Sequence, residues 1–274
     1  MCGKTALIHP GKDLPVMQND KKYAILIDAE NIASKYIKII LDEISNAGVA
    51  TYKRIYGDWT KNHTGGWKEI LLENSVTPMQ QYNDPTGQNS SDSAMIIDAM
   101  DILYSGKVDG FCIVTSDSDF TRLAARLREA GMDVIGMGEE KTPRPFIAAC
   151  NQFKYLDKIY AQTVRASRTA KPAKPKEKQK PVESQENSQT DLETIREMII
   201  DFVDKNSADE GWLMASEVGD VLAKRYPDFD VRNYGCKKLI QFLRMLDMFE
   251  IRMITSEQNT KNPNGKNVYI KLKG

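Results

Sequence analysis

Tyr23-Ala24-Ile25-Leu26-Ile27-Asp28-Ala29-Glu30-Asn31 is an apolar run that ends on an acid, and Gly110-Phe111-Cys112-Ile113-Val114-Thr115-Ser116-Asp117-Ser118-Asp119 repeats the arrangement further along the chain. Continuous apolar runs of this length, followed by polar residues, read as strands covered on both faces. Each leads into a stretch with helical spacing, Ile32 to Ala47 after the first and Phe120 to Ala130 after the second. Thr51 to Tyr56, Val76 to Tyr82 and Asp133 to Met137 add strands, while Trp67 to Asn74 and Asp92 to Tyr104 add helices. Strand and helix alternating at these spacings make right-handed crossovers and a parallel sheet with helices on both faces. The fold class is α/β, doubly wound. Gly48 and Gly131 each stand between a helix and the next strand, where a left-handed residue would close the helix.

Open parallel sheets bind ligands outside the carboxyl ends of their strands. Asp28 and Asp117 occupy that position on two strands, Asp119 follows closely, and Ser90-Ser91-Asp92 opens an intervening helix that also carries Asp98 and Asp101. Gathering Asp28, Asp92, Asp117 and Asp119 in one crevice sets like charges a few ångströms apart, which is costly unless a cation neutralises them. Mg²⁺ or Mn²⁺ suits carboxylate and water oxygens, lowers the pKa of bound water and stabilises an in-line phosphoryl displacement. The absence of a neighbouring His or Cys set argues against zinc and copper. Asn31 could orient the attacking water or meet a phosphate. Capping offers a simpler account of some of these residues, since Asp92, Asp119 and Asn31 all precede helical runs. Asp98 lies almost two turns beyond Asp92 on roughly the same helix face, whereas Asp101 is rotated away. Capping does not explain acids at matching ends of two apolar strands.

Composition fits a soluble protein of one medium and one small domain, with 274 residues and 41% hydrophobic side chains. Lys+Arg and Asp+Glu both total 38, so overall charge selects no partner. Cys2, Cys112, Cys150 and Cys236 form no C-x-x-C pair and have only two histidines to join them, which argues against a zinc or disulfide scaffold and points to a reduced, cytoplasmic protein. No run approaches the ~20 apolar residues of a membrane span. Residues 1–21 read as a flexible tail, and the Lys-Pro then Glu/Ser/Gln-rich stretch over 161–190 as a linker unable to bury enough apolar surface to order itself. Beyond it, helices over Leu192 to Val203, Ala215 to Arg225 and Tyr234 to Leu246 precede strands over Phe249 to Ile254 and Val268 to Lys273, with a turn at Asn262-Pro263-Asn264-Gly265. Three helices and a hairpin make a winged-helix-like module over 191–274.

Ile27-Asp28-Ala29-Glu30-Asn31, Ser91-Asp92 through Asp98, and Thr115-Ser116-Asp117-Ser118-Asp119-Phe120 together resemble the NYN domain, a branch of the PIN-like nucleases, over about residues 22–160. The resemblance implies a PIN-like fold, RNA cleavage, and metal-ligand or water-positioning roles for Asp28, Asp92, Asp117 and Asp119, with Asn31 and Asp98 in support. Ala29 stands where the family often has Gly, and Ser90-Ser91 where it often has Lys-Gly, which bears on how a substrate phosphate is met. Gly211-Trp212-Leu213 and Pro227-Asp228-Phe229-Asp230-Val231-Arg232-Asn233-Tyr234-Gly235, followed by Lys238-Leu239, resemble the OST-HTH, or LOTUS, domain. That resemblance implies RNA binding, including structured G-rich RNA, and in some members protein partners. It places an RNA surface near Tyr234, Lys237 and Lys238, although Tyr234 is equally suited to a buried position.

The expected protein is therefore a Mg²⁺- or Mn²⁺-dependent endoribonuclease acting on single-stranded or structured RNA. Its two modules would be tethered flexibly, so that both engage one strand without a fixed geometry. Arg122, Arg126 and Arg128, on the helix after Asp119, are solvated or contact phosphate. The loop from Thr86 to Ser91 and the Lys141 to Arg144 stretch carry similar alternatives. Trp59, His63 and Trp67 flank Gly65-Gly66 as either packing aromatics or a base-stacking platform. A catalytically weak RNA-binding scaffold is the main rival. An aspartyl-phosphate phosphatase is disfavoured because Glu30, not Asp, stands two residues after Asp28.

Overall fold

Alternate residues of the first strand go to opposite layers, as a period of two requires. Tyr23, Ile25 and Ile27 of β1 (Lys22–Asp28) join one apolar core, and Ala24 and Leu26 join another on the far side of the sheet. The computed structural model describes residues 20–60, 65–81, 90–169, 190–207, 211–255 and 266–273. Within them β1, β2 (Val49–Gly57), β3 (Thr77–Gln80), β4 (Gly110–Val114), β5 (Asp133–Gly138) and β6 (Gln152–Tyr155) form one parallel sheet in the order β3-β2-β1-β4-β5-β6. The first layer takes α1 (Ile37–Ala47), α2 (Gly65–Glu73) and α6 (Leu156–Thr169), through Ile40, Trp67 and Leu156. The second takes α3 (Ser90–Ser105), α4 (Thr121–Glu129) and α5 (Arg144–Ala149), through Met95, Leu127 and Phe146. Removing each such apolar side chain from water contributes roughly 1.5–3 kcal/mol, which fixes the register of the whole sheet.

Several expectations change in detail. The helix expected from Ile32 begins as a 3-10 turn over Ser34–Tyr36 before α1. Gly131 is left-handed with φ of 81°, as expected, but Gly48 has an extended φ of 165°. A Cβ at Gly48 would stand 2.1 Å from the Lys21 carbonyl oxygen, so close backbone approach, not handedness, requires the glycine there. The short edge strand β6 was not expected. Helix α6 carries the described chain to Thr169, past the boundary expected at residue 160.

The second module packs α7 (Leu192–Asn206), α8 (Ala215–Arg225) and α9 (Leu239–Met245) against a sheet in the order β7-β9-β8, with β7 (Leu213–Met214), β8 (Phe249–Thr255) and β9 (Lys266–Leu272). The turn at 262–265 lies outside the described residues. The helix expected over Tyr234 to Leu246 starts only at Leu239, because Val231–Tyr234 closes as a 3-10 turn on a left-handed Gly235 with φ of 76°.

Described residues of the two modules, expected to be tethered flexibly, also touch one another. The Phe153 amide on the outer edge of β6 donates to the Pro227 carbonyl at 2.7 Å. Lys154 Nζ donates to Asp230 Oδ2 at 3.1 Å, and Tyr155 Oη to Asp228 Oδ2 at 3.4 Å. Arg232 donates in a fork to both carboxylate oxygens of Glu43 on α1, at 2.6 and 2.9 Å, and also to Asp230. Burial alone would raise the Asp230 carboxyl, but the Arg232 hydrogen bonds and the Lys154 charge hold it down at about 2.

A carboxylate whose pKa is depressed by folding adds stability above its unfolded value of 3.8 and loses it as pH falls toward 2. The stability difference between wild type and Asp230→Asn is therefore expected to shrink by about 2 kcal/mol between pH 4 and pH 2. Denaturant melts of both proteins across that range measure it.

Candidate metal centre

The strand order reverses between β1 and β4, so the loops leaving these two neighbours diverge and leave a crevice at their carboxyl ends. Asp28, the last residue of β1, sits at its floor and is 2% exposed. Its Oδ1 accepts from the amides of Glu30 and Asn31 at 3.0 and 3.2 Å, and its Oδ2 accepts from Asn31 Nδ2 at 2.7 Å and Thr115 Oγ1 at 2.9 Å. Burial pushes the Asp28 carboxyl up, against the downward pull of these hydrogen bonds. Asn31 thus orients Asp28 and caps no helix.

Asp117 and Asp119 come from the loop after β4. Thr115 Oγ1 accepts from the Asp117 amide at 3.1 Å, and the Asp117 side chain in turn accepts from the Asp119 amide at 2.9 Å, capping the 3-10 turn Ser118–Phe120. Asp92 arrives from the first turn of α3. Carboxylate oxygens of Asp92, Asp117 and Asp119 all lie within 4.8 Å of one another. Burial, then the charges of Asp28, Asp117, Glu30 and Asp119, pushes the Asp92 carboxyl up to about 6. Three hard oxygen donors under this mutual repulsion fit a divalent cation such as Mg²⁺ or Mn²⁺, which needs carboxylate ligands and relieves their charge.

Asp98, expected among the ligands, is engaged elsewhere. Its two oxygens are taken by Arg54 and Tyr56, both on β2. These partners fasten α3 to the sheet and thereby fix the height of Asp92 above Asp28. No local pattern signals them, because residues 54 and 56 are more than forty positions from Asp98. Thr115 also escaped notice, as a fully buried hydroxyl at the end of an apolar strand. Its placement, one residue past β4 and two before Asp117, was the available signal.

Among the basic candidates, Arg122 is exposed on the first turn of α4, three residues after Asp119. Arg126 is exposed as well, while Arg128 Nη1 donates to the carbonyls of Ala148 and Ala149 at the end of α5. Lys141 pairs with Glu139 at 3.0 Å. Lys237 and Lys238 are exposed just before α9. Tyr234 turns inward: its hydroxyl donates to the Thr190 carbonyl at 2.8 Å, and its ring lies 5.1 Å from that of Phe242. Trp67 is buried, with Nε1 donating to the Ile32 carbonyl, and Trp59 donates to the Met79 carbonyl, so both indoles pack. His63 and the 82–89 loop lie outside the described residues. Cys112, Cys150 and Cys236 are free and buried. Among the described residues, no helix is long and apolar enough to cross a membrane.

Comparison with known proteins agrees with this geometry. The NYN domain model matches residues 22–157, and the OST-HTH/LOTUS domain model matches residues 190–260. An uncharacterized protein of Methanocaldococcus jannaschii is 28% identical over 180 residues, covering 62% of this chain and 71% of that protein. The crystal structure of a protein of unknown function from Vibrio parahaemolyticus aligns with a TM-score of 0.43 at 19% identity, over 50% of this chain and 94% of the other, a likeness too distant to bear on function. The parallel sheet with acids gathered at its central switch point, followed by the helical module, is that of an NYN-domain protein, PIN-like in fold, whose NYN domain is joined to an OST-HTH/LOTUS domain.

Proposed function

We propose that this protein is a Mg²⁺- or Mn²⁺-dependent endoribonuclease whose OST-HTH/LOTUS domain holds the RNA. The observation that carries the reading is the convergence of Asp92, Asp117 and Asp119 oxygens within 4.8 Å, beside a buried Asp28. NYN domains are PIN-like nuclease domains and OST-HTH/LOTUS domains bind RNA, so the pairing of the two favours RNA over a small phosphate ester.

Asp92, Asp117 and Asp119 would hold the cation, whose contribution when bound is to neutralise the carboxylates and polarise a phosphodiester. Asp28, fixed by Asn31 and Thr115, supplies a further negative charge at the floor of the crevice that strengthens cation binding without needing to move. Asp119 is the exposed member of the cluster, and accepts a hydrogen bond from a water approaching the phosphorus. Arg122, on the adjoining helical turn, meets a neighbouring phosphate, and the exposed Lys237–Lys238 pair meets the backbone of the same RNA, single-stranded or structured, G-rich RNA included. Asp98 acts through Arg54 and Tyr56 as a positioning residue for α3.

End-labelled single-stranded and hairpin RNAs are expected to be cut with Mn²⁺ or Mg²⁺ and not with EDTA. Asp117→Asn, which keeps an acceptor for the Asp119 amide, should lower the rate on the order of 10²-fold or more. Metal-dependent cutting that survives in Asp117→Asn would locate the chemistry elsewhere, and RNA binding without cutting by the wild type would favour a scaffold.

Asp92→Asn removes one of the repelling charges. In EDTA at neutral pH it should melt a few degrees higher than wild type, on the order of 1 kcal/mol after solvent screening of a partly exposed group, and its melting temperature should no longer rise on adding Mn²⁺. Asp98→Asn is expected to do the opposite, losing about 2 kcal/mol of stability with its hydrogen bonds to Arg54 and Tyr56 while retaining the Mn²⁺-induced rise. Thermal melts with and without Mn²⁺ distinguish the two.

A further inference from the structure

Within Pro227–Gly235 of the C-terminal module, the Pro227 carbonyl and the side chains of Asp228, Asp230 and Arg232 all bond to residues of the NYN domain. We propose that this segment is an intramolecular docking element, clamping the OST-HTH/LOTUS domain to the β6 edge and the adjoining face of α1 and α6 so that the two domains act as one body.

The chemistry of the contact is specific. The Arg232 guanidinium joins a carboxylate on each domain, Glu43 on α1 and Asp230 in its own segment, with hydrogen bonds of 2.6 to 3.1 Å. A planar five-donor fork can serve two carboxylates at once, and a lysine cannot reproduce it. Lys154 answers Asp230 from β6, so two cations and two anions balance across the interface. These side chains are largely shielded, with relative exposures of 28% for Arg232, 21% for Lys154, 13% for Glu43 and 11% for Asp230. Pairs so shielded are screened by salt far less than surface pairs.

Backbone geometry makes a second, independent argument. β6 closes one side of the six-stranded sheet, and an open edge offers unpaired groups to any passing strand. The Phe153 amide on that edge meets the Pro227 carbonyl, and Gln162 of α6 donates to the Arg232 carbonyl. Asp228, only 3% exposed, accepts from the amide and hydroxyl of Thr190, both at 2.7 Å, and from Tyr155 Oη. The chain entering the module, the segment itself and the last residue of β6 are thereby pinned at one carboxylate. A protein partner seeking Asp228, Asp230 or Arg232 would have to displace the NYN domain first, whereas Lys237 and Lys238, just past Gly235, stay open to RNA.

Docking does not depend on the nuclease reading, and its test is independent of cleavage. Hydrogen exchange of the full chain at neutral pH is compared between wild type and the double variant Glu43→Arg/Lys154→Glu, which sets like charges opposite Arg232 and Asp230. The peptide containing the Phe153 amide should exchange at least tenfold faster in the variant, and the radius of gyration should rise, while β1 and β4 peptides stay protected. Arg232→Ala, on the module's side and outside the NYN core, should release the same amide. Exchange at Phe153 that is equal in wild type and in both variants overturns the proposal.

Discussion

Parallel pairing of β1 with β4 is the constraint on which the site rests. With the strand order reversing there, the chain leaves β1 toward one layer of helices and β4 toward the other, and the crevice between the departing loops cannot be filled by either crossover. The Thr115 hydroxyl then does two jobs across that crevice, donating to Asp28 at the end of β1 and accepting from the Asp117 amide. One buried hydroxyl thus sets the spacing of two acidic loops that are 87 residues apart in sequence. A methyl in its place would remove one of the hydrogen bonds that hold the buried Asp28 carboxylate, a change that buried polar groups tolerate poorly.

The acids are arranged against the interest of the fold. A lone aspartate on a helical first turn interacts favourably with the helix dipole, yet Asp92 is driven upward to about 6 by burial and by its acidic neighbours. The sheet over-determines this arrangement: β1 and β4 are buried on both faces, and α3 is held to β2 by Arg54, Tyr56 and Asp98. Apolar burial therefore holds together a set of charges that would otherwise separate, which is the usual relation between a rigid core and a strained functional site.

What could be seen in the sequence follows from the range of the physics involved. Short continuous apolar runs reveal strands, and Asp28 and Asp117 declare themselves by following two of them. β6 stayed hidden because four residues reading Gln-Phe-Lys-Tyr carry too short a pattern, although Phe153 and Tyr155 are buried in the second core layer. Helical periodicity placed Asp98 on the face of Asp92 but could not tell which neighbour would take its charge; that was decided by Arg54 and Tyr56 on another strand. Gly235 could be flagged as permissive, yet only the fold shows that its left-handed turn delays α9 and leaves Lys237 and Lys238 on a loop.

The linker's composition suggests independent modules, yet residues of the two domains meet. Composition describes the cost of ordering the linker itself and is silent about what the domains at its ends do to each other. Here Glu43 and Arg232, 189 residues apart, meet in a geometry no local pattern encodes. Once Pro227–Gly235 is fixed to the edge of the NYN sheet, the residues that follow it are fixed as well, so Lys237 and Lys238 stand at a set offset from Asp92, Asp117 and Asp119. On the nuclease reading, that offset would make the position of the cut a property of the folded body, because RNA held by the basic pair would be measured from there to where the carboxylates converge. A flexible tether would raise the local concentration of RNA at the acids but could not measure along it.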